Sequence, residues 1–394
     1  MESPFPNPEG IPGSDPDPTG SCIRWFDPIF SLRRCNTIGY ATTPGSIVRR
    51  RSTAIVITVA DETTAVFPLV ELERLVTVGQ VQITADAIRL LLEHRVPTTL
   101  LTRGGRIVGT LAPPSMPVGR IRQGQVVVAM NESRRMNAAR RLVIAKIGAM
   151  RGRLATWGHN HEDPVVRNVA TQVGNFAGRA ERCIDRASLM GVEGAAARLY
   201  WAAFADTLEH RMGFNARRSR PATDPVNSML SFGYALLRTE VHAAIDSAGL
   251  DPWTGVHHVA HGQRPSLVLD VMEPWRHRIV DKLVASLVNR RQFVGHHFEP
   301  AAEDPRPADH DQPGDGTRFT SEALRRFIGC FEAAMERPAD GGDRPARLEL
   351  HEYVRDLSAA FGRQANHLPD GKEKTHDHAA TIQADDAIEP PSAA

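Results

Sequence analysis

Carboxylate and imidazole side chains occur in three separate segments whose residue types could bind a divalent metal ion. Glu193 stands between two glycines in GVEG (191–194), His257 and His258 open an HHxxH pattern, and Asp270 and Glu273 are three residues apart in LDVMEP. Carboxylate oxygens are the ligands that Mg²⁺ prefers, and imidazole suits several transition metals. A glutamate at a helix start is also commonly a surface residue stabilised by the helix dipole, and isolated histidines are commonly solvated. Spacing alone leaves both interpretations open.

The elements around LDVMEP decide where its two acids point. A helix would place Asp270 and Glu273 on one face. Pro274 follows directly, and proline is disfavoured inside a helix but favoured at its first position. We therefore predict a long helix that begins at Pro274, with Glu273 near its cap and Asp270 just before it.

Arginines are clustered in NARRSRPATDPVN (215–227), where Arg217, Arg218 and Arg220 precede Pro221 and Pro225. Proline biases the preceding residue toward extended backbone, so the arginines are expected to be exposed. The net charge is only +1, so no overall field attracts nucleic acid. The segment is therefore either a phosphate clamp or a solvated basic loop. A second basic run, 49–51, is expected on a β-turn.

Length and composition are those of a soluble chain with two domains. The 394 residues contain no apolar run of the length that spans a bilayer, and the N-terminus has no basic start followed by an apolar core. The four cysteines are scattered without a CxxC pair, which is typical of a reducing cytoplasm.

Residue patterning divides the chain into a β-rich and a helical part, which predicts an α+β fold. Residues 36–117 carry β-branched segments, a hairpin turn at 103–106 and one helix capped by Thr84; residues 118–365 have helical periodicity, with stripes such as that in 131–154. Residues 1–35, an insert at 299–316 and a tail at 366–394 are rich in polar residues, Pro or Gly, and are predicted to be disordered.

Three motifs in order over residues 191–281 resemble the Cas-one family of CRISPR-associated adaptation integrases and endonucleases. They are G-x-E-G before Tyr-Trp, R-P-x-x-D-P-V-N followed by S-F-G-Y, and G-x-x-H followed by S-L-x-L-D-x-M-E-P. A weaker similarity extends back to about residue 36 through PLVELERLVTVGQ and VIAKIGAM. The resemblance implies an N-terminal β-sandwich followed by a helical catalytic domain.

The resemblance also implies a metal site and its ligands. Carried over by motif, the ligands of Mg²⁺ or Mn²⁺ are Glu193, His258 and Glu273, with Asp270 as a further catalytic acid that supports the site. His257 is the alternative to His258, because the two are adjacent. The side chains expected to bind DNA or support the site are Arg218, Arg220, Asn227 and Tyr234.

The function implied by the resemblance is metal-dependent insertion of short DNA fragments into a repeat array, by attack of a 3′-OH on a phosphodiester. The implied partners are double-stranded DNA, a second copy of the chain in a homodimer, and a small dimeric protein of the Cas-two family, all in the cytoplasm. Two alternatives remain at this point: a catalytically idle DNA-binding scaffold of the same fold, and a general metal-dependent repair nuclease.

Overall fold

The computed structural model describes residues 37–112, 119–218, 222–258, 264–301, 316–339 and 342–365. Residues 1–35, the tail at 366–394, most of the 299–316 insert and Arg220 lie outside the described residues. The described chain begins with a β-rich region, continues as a mainly helical region, and is α+β overall, as predicted. None of the described helices is long and apolar enough to cross a membrane.

Two four-stranded sheets form the β-rich region. Its elements in chain order are β1 (Thr37–Ala41), β2 (Ile47–Arg51), β3 (Ala54–Val59), β4 (Glu62–Pro68), β5 (Leu72–Val78), β6 (Gln82–Ile83), α1 (Ala85–Glu93), β7 (Thr98–Leu101) and β8 (Ile107–Leu111). The strand orders are β1-β5-β7-β8 and β4-β3-β2-β6. The predicted hairpin joins antiparallel β7 and β8, and Thr84 caps α1 by accepting a hydrogen bond from the amide of Ala87. The basic run at 49–51 lies within β2 and not on a turn.

The two sheets and α1 share one apolar core. It includes Val48 and Ile55 from one sheet, Leu72 and Leu75 from the other, and Leu91 from α1. The β-branched and leucine side chains alternate toward this core, because successive side chains of a strand point to opposite faces.

The opposite face of the sheet β1-β5-β7-β8 packs onto the helical region through apolar residues such as Val76 and Leu101. The helices in chain order are α2 (Gly119–Met130), α3 (Glu132–Asn160), α4 (Pro164–Glu181), α5 (Arg186–Asp206), α6 (Pro225–Ser247), α7 (Ser266–Trp275), α8 (Lys282–Asn289), α9 (Ser321–Met335) and α10 (Ala346–Gln364); a short pair, β9 (Phe298–Pro300) and β10 (Thr317–Phe319), precedes α9.

A buried ionic network also joins the sheet to the helices. Arg74 of β5 and Arg347 of α10 both contact the carboxylate of Glu240, which is 1% exposed. Tyr40 of β1 donates a 2.6 Å hydrogen bond to Glu332, which also pairs with Arg347. The network ties α6, α9 and α10 to the sheet.

The prediction that a helix begins at Pro274 is wrong. Helix α7 begins at Ser266 and contains Asp270, Glu273 and Pro274. A π-helical turn, Arg276–Asp281, then carries the chain into α8. Proline lacks an N–H and its ring collides with the carbonyl four residues earlier, so the hydrogen-bond ladder is interrupted there. The wider turn that follows keeps the helix continuous, and π-helical turns are frequent at functional sites.

Candidate metal centre

Glu193 lies well inside α5 and not at its start. The helix begins at Arg186, after Asp185 accepts a hydrogen bond from the amide of Ser188. The dipole of the first helical turn therefore does not account for Glu193, since its effect is confined to that turn. Its side chain is only 15% exposed and faces α3 and α7.

One ammonium group joins the two candidate carboxylates. The Nζ atom of Lys146, on α3, lies 2.6 Å from Oε1 of Glu193 and 2.6 Å from Oε2 of Glu273. The separation of these two oxygens therefore cannot exceed the sum of their distances to Nζ. The structure thus brings two of the three sequence-predicted ligands together around a cation.

Both carboxylates are held in the ionised form. Burial opposes ionisation of Glu193, but the hydrogen bond from His257 and the charge of Lys146 outweigh it and lower the pKa of Glu193 to about 2. Burial likewise opposes ionisation of Glu273, but Arg276 and Lys146 hold the pKa of that carboxyl well below its ordinary value. Burial lowers the pKa of Lys146, but Glu273 and Glu193 outweigh it and raise the pKa. The two glutamates and Lys146 therefore all carry their charges.

Asp270 fixes the segment that carries both histidines. Its carboxylate is 1% exposed and accepts hydrogen bonds from the backbone amides of Val256, His257 and His258 at 2.7, 3.0 and 2.9 Å. It also lies 2.6 Å from Nδ1 of His258. A carboxylate on one ring nitrogen fixes the ring and leaves the other nitrogen, Nε2, to bind a ligand.

His257 contacts the opposite side of the site. Its Nε2 lies 2.8 Å from Oε2 of Glu193, and the residue is 4% exposed. The rings of His257 and His258 have centroids 5.3 Å apart. His257 therefore contacts the candidate ligand Glu193 directly, whereas His258 contacts Asp270.

Gly255 allows the histidine segment to lie directly on α7. A Cβ atom at this position would lie 2.7 Å from Cβ of Ser266 and 2.8 Å from Oδ2 of Asp270. No larger residue fits without displacing the carboxylate that positions His258.

A second buried network of hydrogen bonds contacts Glu273 through Arg276. Asp281, at the end of the π-helical turn, is fully buried and accepts hydrogen bonds from Tyr200 and Tyr234. The guanidinium of Arg276 lies 5.0 Å from the centroid of the Tyr234 ring and 3.4 Å from Glu273. Tyr234, on α6, therefore contacts Arg276, which in turn pairs with the candidate metal ligand Glu273.

The basic segment 215–218 is held by a buried amide. Asn227 is fully buried; its Oδ1 accepts hydrogen bonds from the side chain of Arg217 and the backbone amide of Arg218, and its Nδ2 donates to Ala216 and Asp224. Arg217 also lies 5.3 Å from the centroid of the Tyr234 ring. Arg218 is exposed. Of the predicted DNA-binding residues, Arg218 faces solvent, whereas Asn227 and Tyr234 position their neighbours.

Comparison with known proteins places the chain in a family. The family model "CRISPR associated protein Cas1" matches residues 40–332, most of the chain. The chain belongs to the Cas1 family. A CRISPR-associated endonuclease Cas1 of Chlorobaculum tepidum is 31% identical over 274 residues, covering 68% of this chain and 80% of that protein.

Other similar proteins are longer than this chain or share only its fold. A Cas4/Cas1 fusion of Rhodospirillum rubrum, described as a CRISPR-associated exonuclease/endonuclease, is 30% identical over 305 residues, covering 76% of this chain and 50% of the fusion. The chain thus spans about half the length of the fusion. A solved casposase bound to its integration product shares the fold with a TM-score of 0.71 at 22% identity, covering 83% of this chain and 91% of the casposase.

The carboxylates of Glu193 and Glu273 are suitable ligands for a divalent ion, but in this structure the ammonium of Lys146 lies between them. Within the described ranges, no three His, Cys, Asp or Glu side chains are arranged as a ready set of metal ligands. The oxygens of Glu193 and Glu273 are already gathered around one positive charge, and hard divalent cations prefer such donors. Displacement of the Lys146 ammonium would open the site to a metal ion.

The sequence motifs do not identify Lys146, Arg276 and Asp281 as residues of the site. Lys146 had a detectable signal, because it is one of only four lysines and falls beside Val143, Ile147 and Met150 on the apolar stripe of α3. A charged residue at such a position is almost never buried unless it is paired. No sequence pattern identifies Asp281 or Arg276 in the same way, because the directions of their side chains depend on the π-helical turn.

Proposed function

We propose that this chain is a metal-dependent DNA endonuclease and integrase of CRISPR spacer acquisition, which inserts short DNA fragments into the repeat array. The observation that carries the proposal is the meeting of Glu193 and Glu273 at one cation, beside a histidine held by Asp270. Membership of the Cas1 family and the relatives named as endonucleases support it.

In this proposal Glu193, Glu273 and Nε2 of His258 bind Mg²⁺ or Mn²⁺. The bound ion would supply Lewis-acid polarisation of a phosphodiester and activation of the attacking oxygen. Asp270 holds the ring of His258, and His257 orients the carboxylate of Glu193 through its 2.8 Å contact. Because the pKa of both glutamates is lowered, neither needs to lose a proton before it binds the ion.

Arg218 and Arg220 are proposed as contacts for DNA phosphates, since arginine binds phosphate through a planar fork. Arg218 is exposed beside the segment held by Asn227. Asn227 and Tyr234 are proposed to support these contacts from within, because both are engaged with protein groups. Double-stranded DNA is the proposed substrate, both as fragment and as repeat.

The proposed assembly is a homodimer that binds a small dimeric partner of the Cas-two family in the cytoplasm. The family resemblance supports this assembly. Mass measurement of the chain alone, and mixed with such a partner, tests it: a mass of one copy at every concentration contradicts the homodimer.

The experiment that tests the activity is strand transfer of a short duplex with free 3′-OH ends into a plasmid bearing a repeat, in Mn²⁺. Glu193→Gln is expected to lower transfer by at least ~10³-fold, because a removed catalytic contact costs several kcal/mol, and to leave DNA binding within about twofold. The matched control is Glu181→Gln, which changes an exposed carboxylate at the end of α4 and should transfer normally.

The alternatives predict different outcomes. An idle scaffold binds the duplex but transfers nothing in wild-type form. A general repair nuclease cuts random duplex and repeat DNA equally. Equal transfer by Glu193→Gln and wild type contradicts the proposed site itself.

A further inference from the structure

A cavity of about 620 Å³ lies between α3 and the helix formed by the π-helical turn and α8. Its volume is within the range of small-molecule sites. None of the candidate ligands Glu193, His258 and Glu273 lines it. The polar and aromatic residues that matter for its chemistry are Arg153, Trp157, His277, Arg278, Lys282 and Arg290.

Several polar atoms of the lining have no partner among the described residues. Nε of Arg153 and Nε1 of Trp157 are buried donors with no acceptor, and Nε2 of His277 is also unpartnered. His277 is 2% exposed, with its other ring nitrogen 2.7 Å from Asp281. Buried polar groups are almost always hydrogen-bonded, and an arginine or tryptophan nitrogen can only donate. Arg153 and Trp157 therefore each lack a hydrogen-bond acceptor among the described residues.

The charge of the lining favours an anion. Among the described residues of the lining, Arg153, Arg278, Lys282 and Arg290 are accompanied by one carboxylate, that of Glu209. Arg278 is paired with Glu349 at 2.7 Å, but Lys282 donates to a neutral carbonyl. Burial lowers the pKa of Arg153, with only partial compensation from Tyr200 and Asp281. A bound anion would offset this cost.

One wall of the cavity is aromatic and suits a ligand with a flat ring. Ala149 and Gly152 line it on the α3 side, and a Cβ at Gly152 would meet nothing within 4 Å. The ring of Trp157 stacks on His161 at 4.2 Å with an angle of 12°, which gives the cavity an aromatic wall. Aromatic side chains of this kind stack on nucleic-acid bases.

We infer that this cavity binds a nucleotide, with its phosphate at Arg153 and its base along the wall formed by Trp157. The nucleotide is either free or the unpaired end of a DNA strand, since both offer the same phosphate and base. Binding needs neither the metal ion nor the proposed strand transfer, so it can be tested separately from them.

The test is calorimetric titration of the full chain in EDTA with the four deoxynucleoside 5′-monophosphates, the matching nucleosides, inorganic phosphate and a short single-stranded oligonucleotide. Nucleotides are expected to bind at least about tenfold more tightly than nucleosides or phosphate alone. Arg153→Gln should weaken nucleotide binding at least about tenfold, as expected for a charge-assisted contact in a buried site. The control Arg151→Gln removes the same charge from an exposed position of α3 outside the lining and should bind within about twofold of wild type.

A second variant keeps the test decisive if Arg153→Gln folds poorly. Gly152→Leu places a side chain in open space of the cavity and should abolish binding while the thermal unfolding midpoint is retained. Binding of the oligonucleotide but not of free nucleotides, with the same response to both variants, assigns the site to a strand end. Failure of every probe to bind, or wild-type binding by both variants, overturns the inference.

Discussion

Glu193 of α5 and Glu273 of α7 each place a carboxylate oxygen 2.6 Å from the ammonium of Lys146 on α3. Three helices that are separate in sequence therefore meet at one internal ion pair. A divalent ion that used both carboxylates would have to compete with this ammonium, so the metal affinity of the proposed site would depend on Lys146.

Replacement of Lys146 by methionine should strengthen metal binding. The variant keeps the length of the apolar stem but removes the ammonium that the two carboxylates share, so Mn²⁺ is expected to bind at least about tenfold more tightly, a change of about 1.4 kcal/mol. The unfolding midpoint in EDTA should fall, because breaking a buried pair leaves an uncompensated charge, and saturating Mn²⁺ should restore it. Calorimetric titration and thermal unfolding measure the two effects.

Lys282→Met is the matched control, because Lys282 is exposed and binds a backbone carbonyl away from both carboxylates. Weaker Mn²⁺ binding by Lys146→Met than by the control would contradict a competing role for the ammonium.

Gly255→Ala should impair the site through Asp270. The added methyl group would overlap Ser266 and the carboxylate of Asp270, and so displace the segment that carries His258. We expect Mn²⁺ affinity and strand transfer to fall at least about tenfold, because loss of the group that orients a ligand typically costs that much. Gly191→Ala, whose added Cβ meets nothing within 4 Å, should retain both; equal behaviour of the two variants would show that Asp270 is not needed.

The sequence predicts the acids and the histidines as a set, because each sits in a motif whose order the Cas1 family shares. It does not predict their directions. Pro274 favours a helix start by local rules, but packing of α7 against α3 and α6 sustains a helix through it, with a π-helical turn as the consequence. Tertiary contacts override local propensity here.

The supporting residues are predictable only in part. Asn227 and Tyr234 stand in a recognisable motif, but their bonds to Arg218 and Asp281 depend on the loop and on the π-helical turn. The split into β-rich and helical parts follows from patterning alone. Helix α2 has almost no buried apolar stripe, so periodicity alone does not define its bounds.

Loss of Glu240 should destabilise the joint between sheet and helices. Glu240→Ala leaves Arg74 and Arg347 without their shared carboxylate in a buried position. We expect the free energy of unfolding to fall by about 3–5 kcal/mol, measured from the midpoint of urea unfolding. Asp61→Asn, which removes an exposed partner of Arg49, should change it by less than about 1 kcal/mol; a similarly small effect at Glu240 would contradict the role of the network.

Low pH should weaken the same buried ionic network between the sheet and the helices. Burial opposes ionisation of Glu240, but Arg347 and Arg74 lower its pKa below the ordinary value. The unfolded chain therefore binds the proton first as the pH falls, so the stabilisation is present above the ordinary glutamate pKa and is lost below it. Between about pH 6 and about pH 3.5, wild type should lose more unfolding free energy than Glu240→Gln. Parallel pH profiles for the two proteins would exclude this contribution.

The most direct test of the candidate metal centre is a crystal structure of the chain soaked in Mn²⁺, with anomalous diffraction recorded at the manganese edge. The account predicts one peak within coordination distance of Glu193, Glu273 and Nε2 of His258, with the Lys146 ammonium displaced from between the carboxylates. A peak bound elsewhere, or an undisturbed Lys146 bridge at saturating Mn²⁺, would contradict it.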